Sequence, residues 1–335
     1  MKEGMFQDKV KGIPRCKICP NNCVIPEGKA GICGIRGTKD GKVQLLAYGQ
    51  VSGMNVDPIE KKPLYHFFPS KEIFSIGSFG CNMSCLFCQN YDISTIKAEN
   101  LAPGKQEFTP EEIIKFCEES GTRMIAFTYN EPTITYEFVY DTAKLAKEKG
   151  IKTVLVTNGF INIEPLKELA KYIDAANIDL KGFDEKFYRE ICGARLKPVL
   201  EAIKEYKKAK VWIELTNLLI PGKNDNPEKI EEMCKWIKEN VGKETPLHFS
   251  RFFPMHKMTD VPQTEMKTLL EAKRIAKKYL DFVYVGNITD DELNSTFCPK
   301  CKKLIIERTG YSTKSLLDGD KCPFCKTKIA GVFER

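Results

Sequence analysis

Three cysteines, Cys81, Cys85 and Cys88, stand close together in the stretch CNMSCLFCQN, and the next cysteine is Cys117. Tetrahedral thiolate sites usually hold zinc or the iron of an iron–sulfur cluster. Three thiolates can hold three corners of a [4Fe–4S] cluster and leave one iron open to an external ligand that offers an amine and a carboxylate. We therefore interpret this loop as a catalytic cluster site. A structural zinc loop that borrows a distant ligand is the alternative.

Two further groups of cysteines lie nearer the ends of the sequence. The N-terminal quartet has the spacing Cys-x2-Cys-x3-Cys-x9-Cys, and its members are Cys16, Cys19, Cys23 and Cys33. The C-terminal quartet consists of two Cys-x2-Cys pairs, and its members are Cys298, Cys301, Cys322 and Cys325. Each predicts a closed four-thiolate site. The N-terminal quartet suits zinc or an auxiliary iron–sulfur cluster. The C-terminal quartet is typical of a zinc ribbon or a rubredoxin-like site, and zinc is favoured there over iron.

Seven short apolar runs alternate with longer amphipathic segments between about residues 73 and 287. Strands that are almost entirely apolar, separated by helical patterns, predict βαβ units and a parallel sheet. The segment TPEEIIKFCEESG predicts a helix with Thr109 as its N-cap and Glu112 completing a capping box. Periodicity leaves open whether the sheet is doubly wound or closed towards a barrel.

Polar residues follow the apolar runs at the points where the strands are expected to end. They occur in CNMSC, NEP, TNG, LKG and GN. In both parallel architectures the chemistry lies at the carboxyl ends of the strands. The sequence therefore predicts one active site at that edge.

A Cys-x3-Cys-x2-Cys loop after the Gly-containing strand end SIGSFG resembles the radical S-adenosylmethionine superfamily. The resemblance implies a partial parallel (β/α)6-type TIM barrel and a [4Fe–4S] cluster on Cys81, Cys85 and Cys88. It also implies S-adenosylmethionine on the open iron. Reductive cleavage of that cofactor would release a 5′-deoxyadenosyl radical that abstracts hydrogen from a substrate.

The same resemblance implies roles for other strand-end residues. Phe87 matches an aromatic residue that packs near the adenine. TYNEP takes the place of a Gly-Gly-Glu-Pro motif at the cofactor's amino group, with Tyr129 and Asn130 replacing both glycines. Glu131 can still pair with an ammonium, and Asn130 offers a side-chain amide.

Further cofactor contacts are implied on the later strands of the repeat. Thr157 and Asn158 resemble ribose contacts. Asp179 and Lys181 resemble a pair that meets the ribose and the carboxylate. An adenine-binding strand end is matched by Gly286 and Asn287.

Five stretches together narrow the resemblance: DPIEKKPLYHFFP, GCNMSCLFCQN, FTYNEPT, HFSRFFP and VYVGN. They resemble the radical enzyme of the AmmeMemoRadiSam system, a relative of pyruvate formate-lyase activating enzyme. This implies protein partners of the AMMECR and Memo types, a one-electron donor such as ferredoxin or flavodoxin, and a substrate that is a protein or a partner-bound molecule. Activation of a glycyl-radical enzyme is one alternative. A non-enzymatic adaptor stapled by metals, and a nucleic-acid-binding zinc protein, are others.

Composition excludes some classes of protein. The chain has 335 residues, of which 42% are hydrophobic and 29% charged, as in a soluble globular protein. The net charge of +7 is spread along amphipathic segments, so we expect no nucleic-acid partner. We expect no membrane span and no signal peptide, and the cysteines suit a reducing, cytoplasmic location.

The predicted organisation has three parts. Residues 1–70 form a cysteine-rich module, residues 71–290 the core barrel, and residues 291–335 a zinc-ribbon or rubredoxin-like module. We interpret Cys117, Cys192 and Cys234 as small buried apolar residues. His66 is expected to be packed between aromatic residues and His256 has no predicted role, whereas His248 and Arg251 are candidates to face the substrate.

Overall fold

The computed structural model describes residues 1–101, 106–288 and 290–334. Five short strands precede the main sheet within these ranges. They are β1 (Lys2–Glu3), β2 (Gln7–Val10), β3 (Ile13–Cys16), β4 (Arg36–Lys39) and β5 (Lys42–Leu45). The strands β2 and β3 form a hairpin, and β1, β5 and β4 form a small antiparallel sheet.

The main sheet has eight strands. They are β6 (Gly53–Pro58), β7 (Glu72–Gly77), β8 (Met124–Thr128), β9 (Lys152–Thr157), β10 (Ala175–Asp179), β11 (Trp212–Leu219), β12 (Leu247–Arg251) and β13 (Val283–Gly286). They follow one another in the order β13-β12-β11-β10-β9-β8-β7-β6. All neighbours from β7 to β13 are parallel, whereas β6 runs antiparallel to β7.

Helices connect the parallel strands. They are α1 (Tyr91–Ser94), α2 (Pro110–Glu119), α3 (Tyr136–Glu148), α4 (Ile163–Leu169), α5 (Glu185–Phe187), α6 (Leu196–Lys208), α7 (Pro227–Asn240) and α8 (Met266–Ala276). The predicted capping box of α2 is confirmed, because Thr109 Oγ1 accepts from the Glu112 amide while Glu112 Oε2 accepts from the Thr109 amide. No helix in the described ranges is both long and apolar enough to cross a bilayer.

The predicted partial parallel barrel is confirmed, with seven parallel strands rather than the six expected. In the described part of the chain β13 and β6 do not pair, so the sheet is open along one side. The predicted boundary at residue 70 does not match the sheet. Strand β6 lies in the supposed N-terminal module but pairs with β7 along its whole length, because its backbone completes the hydrogen bonds of that edge.

Residues 59–70 cover the amino-terminal end of the barrel. Ile59, Leu64 and Phe67 are buried against β7 to β10 in one apolar cluster. Below the sheet, the C-terminal module contains β14 (Thr296–Phe297), β15 (Leu304–Thr309) and β16 (Ser312–Ser315). This floor closes one end of the barrel and leaves the carboxyl ends of the strands for the site.

Candidate active site: a three-cysteine cavity

A cavity of about 440 Å³ lies at the carboxyl ends of the parallel strands. Its volume is in the usual range for a small-molecule site. The sulfur-bearing residues Cys81, Cys85 and Cys88 line it together. So do most of the predicted cofactor contacts, namely Phe87, Asn130, Glu131, Thr157, Asn158, Asp179, Lys181 and Asn287. Gly286 ends β13 beside Asn287 and is not among the lining residues.

The cysteine loop follows β7 directly and is held by polar side chains. Asn82 is fully buried and its Nδ2 donates to the Phe160 carbonyl at 2.7 Å. Asn158 Nδ2 donates to Asn82 Oδ1 at 2.9 Å and lies 3.7 Å from Cys81 Sγ. The loop after β9 therefore positions the first cysteine of the loop after β7.

A segment that the sequence did not single out supports the middle of the loop. Residues Tyr188–Cys192 form a π-helix, a form often found at functional sites. The Cys192 carbonyl accepts from the Ser84 amide at 2.9 Å, and Cys85 Sγ lies 3.9 Å from the same oxygen. Cys192 was interpreted as a plain apolar residue, but its backbone holds the cluster loop. It does not line the cavity, so the open side of the three cysteines faces space rather than a fourth thiol.

Glu131 is a buried carboxylate held by neutral donors. Its Oε1 accepts from the Thr133 amide at 2.9 Å and from Thr157 Oγ1 at 2.8 Å, and Oε2 accepts from the Asn158 amide at 2.7 Å. Burial raises the pKa of the carboxyl, and the hydrogen bonds from these groups oppose the rise. Among the described residues no Lys, Arg or His forms a salt bridge with it. A carboxylate in this state suits an incoming ammonium group.

Asn130 occupies a position where the resembling motif has glycine, and its amide is engaged by the strand end. Its Nδ2 donates to the Gly80 carbonyl at 2.9 Å, and its Oδ1 accepts from the Ser78 amide at 3.0 Å. Tyr129, the other replacement, adopts a φ of 70° and its hydroxyl donates to Asp57 Oδ2 at 2.7 Å. Both residues therefore tie the motif to neighbouring backbone and to β6.

A lysine and an aspartate face the cysteines from the end of β10. Lys181 Nζ lies 2.8 Å from Asp179 Oδ2 and 5.7 Å from the centre of the Phe87 ring. Burial alone would lower the pKa of Lys181, but the Asp179 carboxylate and the Cys85 thiol raise it overall. The ammonium therefore stays charged and can meet an anionic group in the cavity.

Several residues that sequence reasoning missed also line the cavity. They are Lys61, Lys62, Pro63, Gln89, Asn90, Asn177, Thr216 and Ser250. Lys62 is 1% exposed and pairs with Asp57 at 2.6 Å. The lysines come from the segment after β6, which carries no motif. Only the antiparallel pairing of β6 brings them to the rim.

The histidine expectations divide. His66 is buried, as expected, and its rings of contact are Phe282, Trp212 and Tyr284. The idea that His248 and Arg251 face the substrate is wrong. His248 Nε2 lies 2.7 Å from Glu214 Oε2 below the cavity, and Arg251 Nε donates to the Thr264 carbonyl at 2.7 Å. Neither lines the cavity, because the barrel floor and a loop take up their polar atoms.

The C-terminal quartet is compact. Cys298 and Cys325 have sulfurs 3.6 Å apart, and Cys301 and Cys322 have sulfurs 3.7 Å apart. All four sulfurs lie within 4.8 Å of one another. A tetrahedral ion with metal–sulfur bonds of about 2.3 Å requires sulfurs about 3.8 Å apart. The quartet therefore fits a single metal ion.

The N-terminal quartet lies elsewhere, around a second and smaller cavity beside Arg36 and Ile134. It is formed by the loops that follow β3 and precede β4. Cys16 is buried, and the other three cysteines are partly buried. The predicted grouping of these four residues in space is therefore observed.

The family model for the Radical SAM superfamily matches residues 75–237. A protein of Methanocaldococcus jannaschii, MJ1227, is 30% identical over 69% of this chain and 93% of its own length. Its assignment as a glycyl-radical enzyme activating enzyme is provisional. The chain belongs to the radical SAM superfamily.

Other relatives agree with this assignment. The pyruvate formate-lyase 1-activating enzyme of Escherichia coli K12 is 29% identical over 48% of this chain and 66% of its own length. An uncharacterized protein of M. jannaschii, MJ0808, is 42% identical over 98% of this chain and 99% of its own length. A radical SAM methyltransferase from Sphaerobacter thermophilus shares the fold, with a TM-score of 0.50, 14% identity and coverage of 65% of this chain and 67% of that one.

Membership in the radical SAM superfamily implies an iron–sulfur cluster and S-adenosylmethionine, and the cavity can be tested for both. Three thiol-bearing residues line one wall, and their fourth side is open. Glu131 offers a carboxylate without a cation, and Lys181 offers a cation near the cysteines. A cofactor with an ammonium, a carboxylate and a nucleoside fits this set of donors and acceptors.

Proposed function

We propose that the protein is a radical enzyme in which Cys81, Cys85 and Cys88 hold a [4Fe–4S] cluster whose open iron binds S-adenosylmethionine. When bound, these groups supply reductive cleavage to a 5′-deoxyadenosyl radical that abstracts hydrogen from a substrate. The observation that carries the proposal is that three cysteines and an unpaired buried carboxylate line one cavity at the strand ends.

The protein's own residues bind and orient. Glu131 would accept from the ammonium of the cofactor, and Lys181 would donate to its carboxylate. Thr157 and Asn158 hold Glu131 in place, and through Asn82 the Asn158 side chain also fixes the cysteine loop. One hydrogen-bonded unit therefore sets the position of the cluster relative to the amino group.

The three thiols must lose protons when the cluster binds. Burial raises the pKa of Cys81 and of Cys88, so both are neutral thiols at pH 7 without metal. Assembly of the cluster therefore releases protons, and it becomes more favourable as pH rises. Closely packed side chains around the loop, such as buried Phe87 and Met83, limit the access of water.

A large substrate is supported by the open side of the barrel. The cavity extends to a rim that carries Lys61, Gln89 and Asn90, and β6 and β13 do not pair in the described ranges. A protein or a partner-bound molecule can therefore present a group to the cavity. The specific alternative is activation of a glycyl-radical enzyme, which the similarity to activating enzymes supports.

The C-terminal quartet is proposed to hold a structural zinc ion, with iron as the other candidate. Its module packs on the barrel floor through Tyr65, Phe282 and Tyr284. Arg308 from this module is fully buried and donates to the Tyr65 carbonyl at 2.8 Å. A metal ion that orders the module would therefore stabilise the segment that closes the barrel.

Partners and location are part of the same proposal. Proteins of the AMMECR and Memo types are the proposed partners, and ferredoxin or flavodoxin is the proposed one-electron donor. Fourteen free cysteines support a reducing, cytoplasmic compartment.

The test is cofactor cleavage by anaerobically purified, reduced protein. Wild type is expected to release 5′-deoxyadenosine, and Cys85→Ala is expected to release none while the C-terminal quartet keeps its metal. The matched control is Cys301→Ala, which is expected to lose that metal and retain cleavage if the site is structural. Full turnover by Cys85→Ala would refute the proposed cluster site. Zinc without iron in the wild type would favour a non-enzymatic adaptor.

The glycyl-radical alternative has its own test. A purified partner incubated with reduced enzyme and S-adenosylmethionine would show a glycyl radical by electron paramagnetic resonance. A methylated or rearranged small molecule as the product would remove this alternative.

A further inference from the structure

The N-terminal quartet differs from the C-terminal quartet in the spread of its sulfur atoms. Among the described residues, the C-terminal quartet is the only group of three or more possible ligands whose ligand atoms all lie within 4.8 Å of one another. All four N-terminal cysteines are described, so their sulfurs are further apart than that limit allows. A single tetrahedral ion needs sulfurs about 3.8 Å apart. The N-terminal quartet is therefore too open for one zinc ion.

The same sulfurs nevertheless enclose a common space. All four cysteines line one cavity, and Ile18, Ile25 and Ile134 complete much of its wall. Each of these isoleucines is at most 1% exposed. In an iron–sulfur cluster the thiolates bind different irons, so their sulfurs stand further apart than around one ion. Spread thiols around a dry cavity match that arrangement.

A buried arginine provides an independent sign of a negatively charged occupant. Arg36 is 2% exposed and lines the cavity. Its Nη1 and Nη2 donate to the Glu137 carboxylate at 2.6 and 2.8 Å. Its Nε is buried and has no hydrogen-bond partner. An unpaired charged donor in such a place is costly unless a ligand accepts from it.

The quartet also contacts the catalytic loop. A Cβ atom added at Gly80, the residue before Cys81, would lie 2.5 Å from the Cys33 carbonyl oxygen. Asn21 Nδ2 donates to the Asn82 carbonyl at 2.9 Å. The two cysteine sites are therefore joined by direct contacts rather than separated by a domain boundary.

We infer that Cys16, Cys19, Cys23 and Cys33 hold a second iron–sulfur cluster, with Arg36 Nε as a hydrogen-bond donor to it, rather than a zinc ion. The open sulfur spacing, the enclosing cavity and the unpaired guanidinium nitrogen carry this inference together. It does not depend on the proposed reaction, because it concerns a different set of ligands.

The decisive experiment removes the catalytic cysteines and asks whether iron remains. The variant Cys81→Ala/Cys85→Ala/Cys88→Ala is purified anaerobically and reconstituted with iron and sulfide, and iron, acid-labile sulfide and zinc are measured per chain. We expect about two to four irons with equal sulfide, as in [2Fe–2S] or [4Fe–4S] clusters, and a cluster signal in Mössbauer spectra. Absence of sulfide-containing iron, with zinc in both quartets, would overturn the inference. Iron without sulfide would report only the C-terminal quartet and would overturn it as well.

Two further measurements guard against misfolding of that variant. In the otherwise unchanged chain, Cys19→Ala is expected to remove the second cluster's iron and sulfide and to keep the C-terminal zinc. Unchanged iron in that variant would contradict the inference. Arg36→Lys keeps a cation for Glu137 but lacks Nε, so the second cluster's reduction potential is expected to become more negative as a hydrogen bond is lost. An unchanged potential would remove Arg36 from the site.

Discussion

The strongest test of the cavity chemistry is the change Glu131→Gln. The glutamine is nearly the same size as the glutamate, but it carries no charge and presents an NH2 group on one side. In wild type, both carboxylate oxygens accept hydrogen bonds, from Thr133 and Thr157 on one side and from Asn158 on the other. The amide oxygen can replace only one of these sides. We therefore expect loss of the charge and of one anchoring bond.

The magnitude for cofactor binding follows from the lost charge-assisted bond. A hydrogen bond to a charged group contributes about 1.5–3 kcal/mol, so binding of S-adenosylmethionine should weaken about 10- to 150-fold. A buried NH2 that faces the Asn158 amide would also cost about 1–3 kcal/mol of stability. The iron content should not change, because the three cysteines are untouched.

The assay is anaerobic equilibrium dialysis of S-adenosylmethionine and of an analogue without the amino group. Wild type should bind the analogue more weakly by a factor similar to that of the Glu131→Gln change, whereas the variant should hardly distinguish the two ligands. The control Glu168→Gln changes a carboxylate on α4 that pairs with Lys171 away from the cavity. Equal discrimination by wild type and by Glu131→Gln would refute the pairing of this carboxylate with the ammonium.

Two other predictions concern stability and the cluster loop. Burial lowers the pKa of His66 from 6.5 to about 4. The unfolded chain therefore takes up this proton first, and about 3 kcal/mol of stability should be lost as pH falls from 6.5 to 4; urea unfolding of wild type and His66→Gln should diverge across that range, and parallel curves would contradict it. Gly193→Ala should lower iron content and cofactor cleavage, since its Cβ would lie 2.1 Å from Ser84 Oγ at a φ of 64°. Gly150→Ala has a φ of 67° with nothing within 4 Å, so it should cost about 1 kcal/mol of stability and leave cleavage intact; equal loss in both variants would show that backbone strain alone is responsible.

The floor of the barrel connects the C-terminal module to the core. Glu214 accepts from the backbone amides of Tyr65 and His66 at 2.9 and 2.7 Å, and from His248 Nε2. His66 Nδ1 donates to the Ala330 carbonyl at 2.7 Å, which requires the tautomer protonated at that nitrogen. The module therefore contributes directly to the position of the segment that closes the barrel. Loss of its metal should be felt there before it is felt at the cysteine cavity.

Local patterns in the sequence were sufficient for the type of fold and for most of the site. Apolar strands alternating with helices predicted the parallel barrel, because burial on both faces leaves no polar alternation. The polar residues at strand ends, such as Glu131 and Lys181, were predictable since the carboxyl ends of parallel strands share one edge. The cysteine spacings predicted three separate sites, because each set of ligands lies within one short segment or one hairpin pair.

Tertiary structure alone decided the contacts between distant segments. No local pattern marks Cys192 as a support for the cysteine loop, and none brings Lys62 to the rim, because both depend on how separate elements pack. For the same reason the expected role of His248 was wrong, as its partner Glu214 lies on the neighbouring strand. Spacing along the chain treats the two quartets alike, whereas their sulfur distances in space separate a site for one ion from a site for a cluster. Distances between ligands are set by the packing of loops, and sequence spacing places only an upper bound on them.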